Sequence, residues 1–483
     1  MTIMEMSTAL GSGELTSVEI TGAFLDRIRI AEPTVHAFLA MNNDAQKAAE
    51  ESDARRKAGE PLSEFDGVPV AIKDVLLTNG IETTASSAML RGYVPVEDAS
   101  VVKKLKTAGM IILGKNNCDA WAHGSSTENS DFGPTKNPWN PEYVPGGSSG
   151  GSTACVAAKE APVSLGTDTG GSIRQPAGFC GVVGLKPTYG LVSRYGLIAM
   201  ASSLDSVGPI TSSVIDNASI LNLIAGPDPK DATSAGSKTT DYTANISNGV
   251  AGLRIGLPRE YFGDGLSKEV KECVMAAAKN LEKQGATLVE IELPHTQYGI
   301  ATYYVLQPAE VSSNLGRFDG IKYGYSAKKS ENLIDHYFKS RSEGLGDEAK
   351  RRIMLGSYVL SAGYYDAYYA KAMKVRSLIK NDFDNAFKKV DVILAPTSPT
   401  TAFKFGAHTS DPLAMYLEDI YTVNINLAGV PSLALPCGFG ENNLPVGMQI
   451  IGPQYSEALI YQAAHAYELT TKNDIWRQNK NKI

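Results

Sequence analysis

The chain has 483 residues, 43% hydrophobic and 20% charged, with a net charge of −7 and no long block of like charge. This composition is ordinary for a soluble globular protein, and the acidic balance argues against a broad phosphate-gripping face, so any nucleic-acid role is expected to belong to a partner. No stretch reaches 18 uninterrupted apolar residues, and the N-terminus MTIMEMSTALGSGELTS has neither a basic segment followed by an apolar run nor an Arg-rich character; membrane-spanning, secretory and organelle-targeted readings all fail, and a cytoplasmic location is expected.

The first 55 residues read as helices. Leu15-Thr16-Ser17-Val18-Glu19 offers a cap-like start to an apolar-periodic run ending near Ile30, and Asp44 to Lys57 reads as a polar helix. Val68, Val70 and Ile72 then alternate with Pro69, Ala71 and Lys73, the period of a half-buried strand, which puts Lys73 on the face opposite the three aliphatics. Short apolar runs follow at Met110–Leu113, Ala161–Leu165, Val182–Leu185, Leu253–Leu257, Thr287–Leu293, Val390–Leu394, Ser432–Leu435 and Val446–Ile451. A helix from Ser267 to Gln284 between two of them makes a strand–helix–strand unit. Strands alternating with helices imply an α/β protein built on a large, mostly buried mixed sheet. The interval from about Tyr298 to Phe387 is different: rich in tyrosine, strongly helical in period and poor in strand-like runs, it reads as a helical insertion. One large domain is expected, with N-terminal helices over 1–60, a core over 61–230, the insertion over about 298–387 and a return to the sheet over 388–483. Five scattered cysteines without a CxxC pair read as reduced, mostly buried thiols, and no metal site is expected.

Between Pro145 and Pro187 two glycine-serine clusters, Gly146–Ser152 and Gly170-Gly171-Ser172, lie 24 residues apart. A glycine-serine run alone is as readily a flexible loop. Here the first cluster leads into an Ala-rich helix and the second follows a buried-strand pattern, so glycine is read as leaving backbone N–H groups free to face a ligand. The phosphate-binding patterns GxxxxGK[ST] and GxGxxG are absent, as is a GxSxG elbow. The six histidines are dispersed, and only His123 is near a candidate motif, so nothing points to a Ser–His–Asp triad. A serine nucleophile still needs a base, and a buried lysine serves if burial lowers its pKa by several units from ~10.4. Lys73, beside an apolar face, fits that requirement; a solvated lysine ahead of a turn is the plain alternative.

The segments IKD at 72–74, GGSSGGS at 146–152 and GTDTGGSIRQPA at 166–177 resemble the amidase signature family, three motifs in the family's order. The resemblance implies a Ser–cis-Ser–Lys triad, with Ser172 as nucleophile, Ser148 as the bridging serine on a cis peptide and Lys73 as base. Ser149 is the rival for the bridging role. The N–H groups of Thr169, Gly170, Gly171 and Ser172 would form the oxyanion hole, each such donor contributing roughly 10²–10³-fold in rate. Asp168 and Arg174 would support and orient the two glycine loops, or form a structural ion pair without chemistry.

Outside the signature, KNNCDAWAHGSSTENSDFGPTKNPW (115–139), SSNLGRFDGIKYGYSA (312–327), GYYDAYYAKAMKVR (363–376) and APTSPTTAF (395–403) resemble the A-subunit family of the glutamyl-tRNA(Gln) amidotransferases. That resemblance covers essentially the whole chain. It implies a glutaminase that supplies ammonia to a heterotrimer with B and C subunits. A partner would activate Glu-tRNA(Gln) with ATP and Mg²⁺ and amidate it, and no cofactor would sit on this chain. Glutamine needs a cation for its carboxylate and an anion for its ammonium; by resemblance these are Arg352 and Asp419, with a hydroxyl contact from Tyr303. Taken alone, Arg352 reads as the solvated face of a helix and Asp419 as an ordinary helix carboxylate. The stretch Asp119-Ala120-Trp121-Ala122-His123-Gly124 departs from the family's acidic and aromatic pattern. Two other functions stay open: a stand-alone amidase of small aliphatic or aryl amides, and a non-catalytic scaffold protein.

Overall fold

The computed structural model describes residues 1–235, 240–408 and 411–472. The chain opens with α1 (Ile3–Ser12) and α2 (Ser17–Val35), each started by a threonine whose hydroxyl and the glutamate three residues on cap one another's backbone groups, Thr2 with Glu5 and Thr16 with Glu19. α2 runs past the expected end near Ile30, through Pro33, to Val35. It is followed by β1 (Phe38–Met41), a strand inside a region read as helical. β1 has only four residues, all half-buried, so it carries no period to read; what makes it a strand is antiparallel pairing with Gly114–Asn116. Next come α3 (Ala45–Ala58), β2 (Pro69–Lys73), α4 (Ser100–Thr107) and β3 (Ile111–Asn116). The two glycine clusters bracket α5 (Gly150–Ala157) and β4 (Val163–Asp168), and the second leads into α6 (Arg174–Cys180) and β5 (Val183–Lys186). β6 (Ser206–Thr211) escaped the sequence reading because Gly208 and Pro209 interrupt it; proline usually marks an edge, yet β6 is an interior strand.

The chain continues through α7 (Val214–Ile224), β7 (Arg254–Pro258), α8 (Lys268–Lys283) and β8 (Thr287–Ile291), where β7 and β8 pair in parallel across α8. Four helices without an intervening strand then follow among the described residues: α9 (Gly299–Asn314), α10 (Leu333–Gly344), α11 (Asp347–Leu360) and α12 (Tyr369–Ala386). β9 (Val392–Pro396) re-enters the sheet, α13 (Pro412–Leu417) and α14 (Val423–Ala428) leave it, and β10 (Ser432–Phe439), β11 (Pro445–Ile451) and α15 (Glu457–Thr471) complete the described chain. Residues 473–483 of the expected last segment lie outside the described residues.

All 11 strands form one mixed sheet in the order β1-β3-β2-β4-β6-β5-β10-β11-β9-β7-β8. Alternation along the strands divides the core. Val70 and Ile72 of β2, Leu165 of β4 and Leu433 of β10 pack with α1, α4, α7, α8 and α15. Ala71 and Ala434 face the other way, onto α2, α5 and α6, while Ile393, Ala395 and Ile451 pack on α9, α12 and α14. Helices therefore cover both faces, and β2 is buried on both sides, not the half-buried strand its alternation implied. Lys73 follows Ala71 onto the α5–α6 face. Among the described residues no helix is long and apolar enough to cross a membrane.

Candidate active site

Lys73 ends β2 and is fully buried. Its Nζ lies 2.8 Å from Ser148 Oγ, 2.9 Å from Ser149 Oγ and 2.8 Å from Thr167 Oγ1. Burial pulls its pKa down to about 8, against the opposing pull of Cys118, Asp119, Asp168 and Asp205. Two other lysines on this sheet are equally buried. Lys115 donates to the Leu76 carbonyl at 2.6 Å and to Thr83 at 2.7 Å, with Asp74 at 3.8 Å, and Lys186 donates to the Pro187 carbonyl at 2.8 Å. Carbonyls and carboxylates accept only, so they favour the ammonium. All three partners of Lys73 are hydroxyls, and those of Ser148 and Thr167 can also donate to a neutral amine. Of the three lysines, Lys73 alone has a shell that satisfies both protonation states.

The serines above it come from the turn into α5, where the Gly147–Ser148 peptide is cis. Ser149 is held on several sides. Its Oγ donates to the Thr167 carbonyl at 3.0 Å and accepts from the Thr167 amide at 3.2 Å, and its own amide donates to the Ser172 carbonyl at 3.0 Å. Ser148 Oγ makes no hydrogen bond beyond the one from Lys73 among the described residues, which leaves Ser148 the better placed of the pair to pass a proton. The Gly147 amide donates to Gln175 Oε1 at 3.0 Å, so the two glycine loops are tied by Gln175 and by the Ser149–Ser172 bond.

Ser172 is 9% exposed, and its hydroxyl is not hydrogen-bonded to any described residue, Ser148 included. The loop before it needs glycine for space. A side chain at Gly170 would meet the Tyr303 hydroxyl at 2.7 Å, and one at Gly171, where φ is +140°, would collide with Thr422. The Thr422 hydroxyl donates to the Gly170 carbonyl at 2.6 Å. One expected oxyanion donor is withdrawn: the Gly171 amide points back to Asp168 Oδ1 at 2.9 Å, because that carboxylate fills the turn beneath it. The amides of Thr169, Gly170 and Ser172 have no protein acceptor among the described residues.

Asp168 also accepts from the Ile173 amide at 3.2 Å and from Asn426 Nδ2 at 2.8 Å, and its carboxylate takes a two-pronged contact from Arg174, 3.0 Å on each side. Burial would raise its pKa, but the Arg174 guanidinium outweighs burial and holds it at about 2. Arg174 is itself fully buried and reaches Gln449 Oε1 at 2.9 Å, Asn426 Oδ1 at 2.5 Å and the Thr422 carbonyl at 3.2 Å.

Tyr303, from α9, is buried against Gly170. Asp419 is buried just before α14 and accepts from Ser125 Oγ and Tyr304 OH, both at 3.0 Å; burial lifts its pKa to about 6, opposed by these bonds and by Arg352. Arg352 is no solvated helix face: it is 4% exposed on the inner side of α11, 5.4 Å above the Tyr304 ring and 5.6 Å above the Tyr416 ring, with Nε on Glu348 at 2.8 Å. A cation, an anion and a phenol thus converge near the Gly170–Ser172 loop. His123 is fully buried with neither ring nitrogen bonded to a described residue, and burial followed by Arg352 drives its pKa well below 6.5, so it is neutral. Sequence reading missed Thr167, although it sits inside the GTDTGGS motif. It also missed Ser125, Tyr304, Thr422, Asn426 and Gln449, which carry no local signal. Among the described residues, no group of three or more His, Cys, Asp and Glu is placed to hold a metal ion.

The amidase family model matches residues 19–461. A curated relative from Thermosynechococcus vestitus, the A subunit of glutamyl-tRNA(Gln) amidotransferase, is 54% identical over 479 residues, 99% of each chain. Among solved structures, the A subunit of glutamyl-tRNA(Gln) amidotransferase from Thermotoga maritima superposes with a TM-score of 0.81 at 43% identity, covering 98% of this chain and 95% of that one. The native peptide amidase of Stenotrophomonas maltophilia superposes with a TM-score of 0.82 at 31% identity, covering 98% and 97%.

Proposed function

Since the chain belongs to the amidase signature family and is an enzyme of it, we propose that it is the glutaminase component of a tRNA-dependent amidotransferase in the cytoplasm. The observation that carries this reading is the buried Arg352 and Asp419 beside the serine loop. A free amino acid presents a carboxylate and an ammonium at fixed spacing, and a simple amide presents neither. Ser172 Oγ attacks the side-chain amide carbon while its proton passes through Ser148 to neutral Lys73. Negative charge gathers on the former carbonyl oxygen, facing the amides of Thr169, Gly170 and Ser172. The same relay returns the proton to the leaving nitrogen, which departs as ammonia; water then attacks the glutamyl ester to give glutamate and restore Ser172. The Ser148–Ser172 contact has to close in the reactive complex, as catalytic hydrogen bonds commonly do. ATP, Mg²⁺ and Glu-tRNA(Gln) are handled by B and C subunits, a division that suits the acidic chain.

The peptide amidase superposes as well as the amidotransferase protein, so the signature fold does not separate this reading from a stand-alone amidase. Substrate preference does. Arg352→Ala is expected to cost about 3 kcal/mol in kcat/KM for glutamine, on the order of 10²-fold, by leaving a desolvated carboxylate unpaired. Acetamide hydrolysis is expected to be far slower than glutamine hydrolysis in the wild type and unchanged in the variant. Comparable turnover of the two substrates would favour the stand-alone enzyme. The assay that tests the whole reading is formation of Gln-tRNA from Glu-tRNA, glutamine and ATP by the chain with its B and C subunits.

The pH dependence follows from Lys73. The base is active when neutral, so kcat/KM for glutamine should rise about tenfold per pH unit up to about 8 and level above it. Below about 6 the slope should steepen, because Asp419 becomes protonated and loses its grip on the ammonium. A profile flat from pH 6 to 9 would remove Lys73 from the base role.

A further inference from the structure

His123 lies in the stretch 119–124 that departs from the family pattern, so the resemblance gives it no role. A neutral imidazole carries one N–H donor and one acceptor, and here neither is used by a described residue although the ring is fully buried. Burying histidine in this way costs free energy that an apolar side chain of the same size would avoid. The backbone fixes where the ring goes. The Asp119 carboxylate accepts from the amides of Thr127 at 2.9 Å and Asn129 at 3.2 Å. Asn129 Nδ2 in turn donates to the His123 carbonyl at 3.0 Å, and the His123 amide donates to the Ala120 carbonyl at 3.0 Å. Two residues on, Ser125 Oγ donates to Asp419, which also accepts from Tyr304 OH, and Arg352 lies over the Tyr304 ring. One short loop therefore reaches the anion of the site through Ser125 and lies beside its cation at His123, whose proton affinity the Arg352 guanidinium depresses. Arg352 has donors to spare. Among the described residues only its Nε is hydrogen-bonded, to Glu348, which leaves both terminal nitrogens for a ligand.

We infer that His123 is a substrate-binding residue: its imidazole N–H donates to the α-carboxylate gripped by Arg352 and sharpens the choice of amino-acid amides over simple amides. The inference deepens the function proposed above and rests on it. A carboxylate offers about four lone-pair positions, so a guanidinium fork leaves room for a further donor. A neutral donor suits the position. A second cation beside Arg352 would repel it and would overbalance a ligand group with a single negative charge, whereas a neutral imidazole adds a hydrogen bond and no charge. Burial and Arg352 together hold the ring in that neutral form. The donor that the protein leaves unpaired is one that the substrate pairs, a case of stability given up for function.

The test uses the full chain co-expressed with its B and C subunits. It compares wild type with His123→Met, whose unbranched apolar chain fills similar space, and with His123→Gln, which keeps an N–H donor. The substrates are glutamine and 4-aminobutanamide, which is glutamine without its carboxylate. In His123→Met the ratio of kcat/KM for glutamine to that for 4-aminobutanamide is expected to fall by about tenfold or more, the worth of a hydrogen bond to a charged group. The loss should appear in KM for glutamine, with kcat within about threefold of wild type. The melting midpoint of His123→Met should equal or exceed that of wild type, because two unpaired buried nitrogens are removed. His123→Gln should bring the ratio back to within about threefold of wild type. A ratio in His123→Met within about threefold of wild type would overturn the role of His123 while leaving the proposed function standing. So would an equal loss on both substrates with a lowered midpoint, which marks a structural part, or a His123→Gln variant that recovers none of the ratio. A wild type that turns over the two substrates equally would overturn both.

Discussion

Ser172→Ala is expected to lower ammonia release from glutamine by about 10⁵- to 10⁶-fold in kcat, because nucleophile and proton path act as a unit and are lost together. The same change is expected to leave stability within about 0.5 kcal/mol of wild type, since the hydroxyl has no hydrogen-bond partner to strand among the described residues and its site is not fully closed. The pairing of a large kinetic effect with a null effect on folding separates an enzyme from a scaffold that merely keeps the signature. Stopped assays of ammonia alongside urea unfolding give both numbers on one preparation. Ammonia release within tenfold of wild type would remove Ser172 from the chemistry.

The second large effect concerns Asp168, which touches no part of the proton path. Replacing it with asparagine leaves the fully buried Arg174 guanidinium without its counter-charge, and breaking a buried pair from one side typically costs about 3–5 kcal/mol. Activity should fall as well. Asp168 holds the Gly171 and Ile173 amides on either side of the nucleophile, so its loss loosens the loop that aims Ser172. A drop of roughly 10²–10³-fold in kcat is expected, the size of one misplaced oxyanion donor. Pairing Asp168→Asn with Arg174→Met should cost less stability than the two single effects added together, since the stranded charge is removed; activity should not return. An Asp168→Asn chain within 1 kcal/mol of wild type would show that the ion pair does not hold this region together.

Much of this was readable where the signal is local. The face chosen by Lys73 follows from alternation with Val70 and Ile72, and α8 between β7 and β8 declares itself by period and by Ser267, whose hydroxyl caps the helix at Val270. The strand β6 was hidden by Pro209, whose missing amide is tolerated at an interior position opposite Leu165. Arg352 was hidden by its neighbours: within Lys350-Arg351-Arg352 nothing local marks which residue the helix turns inward, a choice made by packing on α9. The roles proposed for Lys73 and Ser148 came from the family motifs, and geometry then added what motifs lack, namely the hydroxyl-only shell of Lys73 and the commitment of Ser149 to Thr167. Asn426 and Gln449 lie more than 250 residues from Arg174, beyond the reach of any local pattern.

The position of β10 and β11 bears on how the molecule is made. These strands, from residues 432–451, lie at the middle of the sheet, between β5 and β9. A ribosome delivers both flanks before it delivers the centre, so β5 and β9 wait with unpaired edges until residues 432–451 emerge. Gln449, which anchors Arg174, arrives with that hairpin. The nascent chain therefore has its serines long before Gln449 arrives to brace Arg174. Truncation before residue 451 should yield an aggregation-prone chain rather than a smaller enzyme.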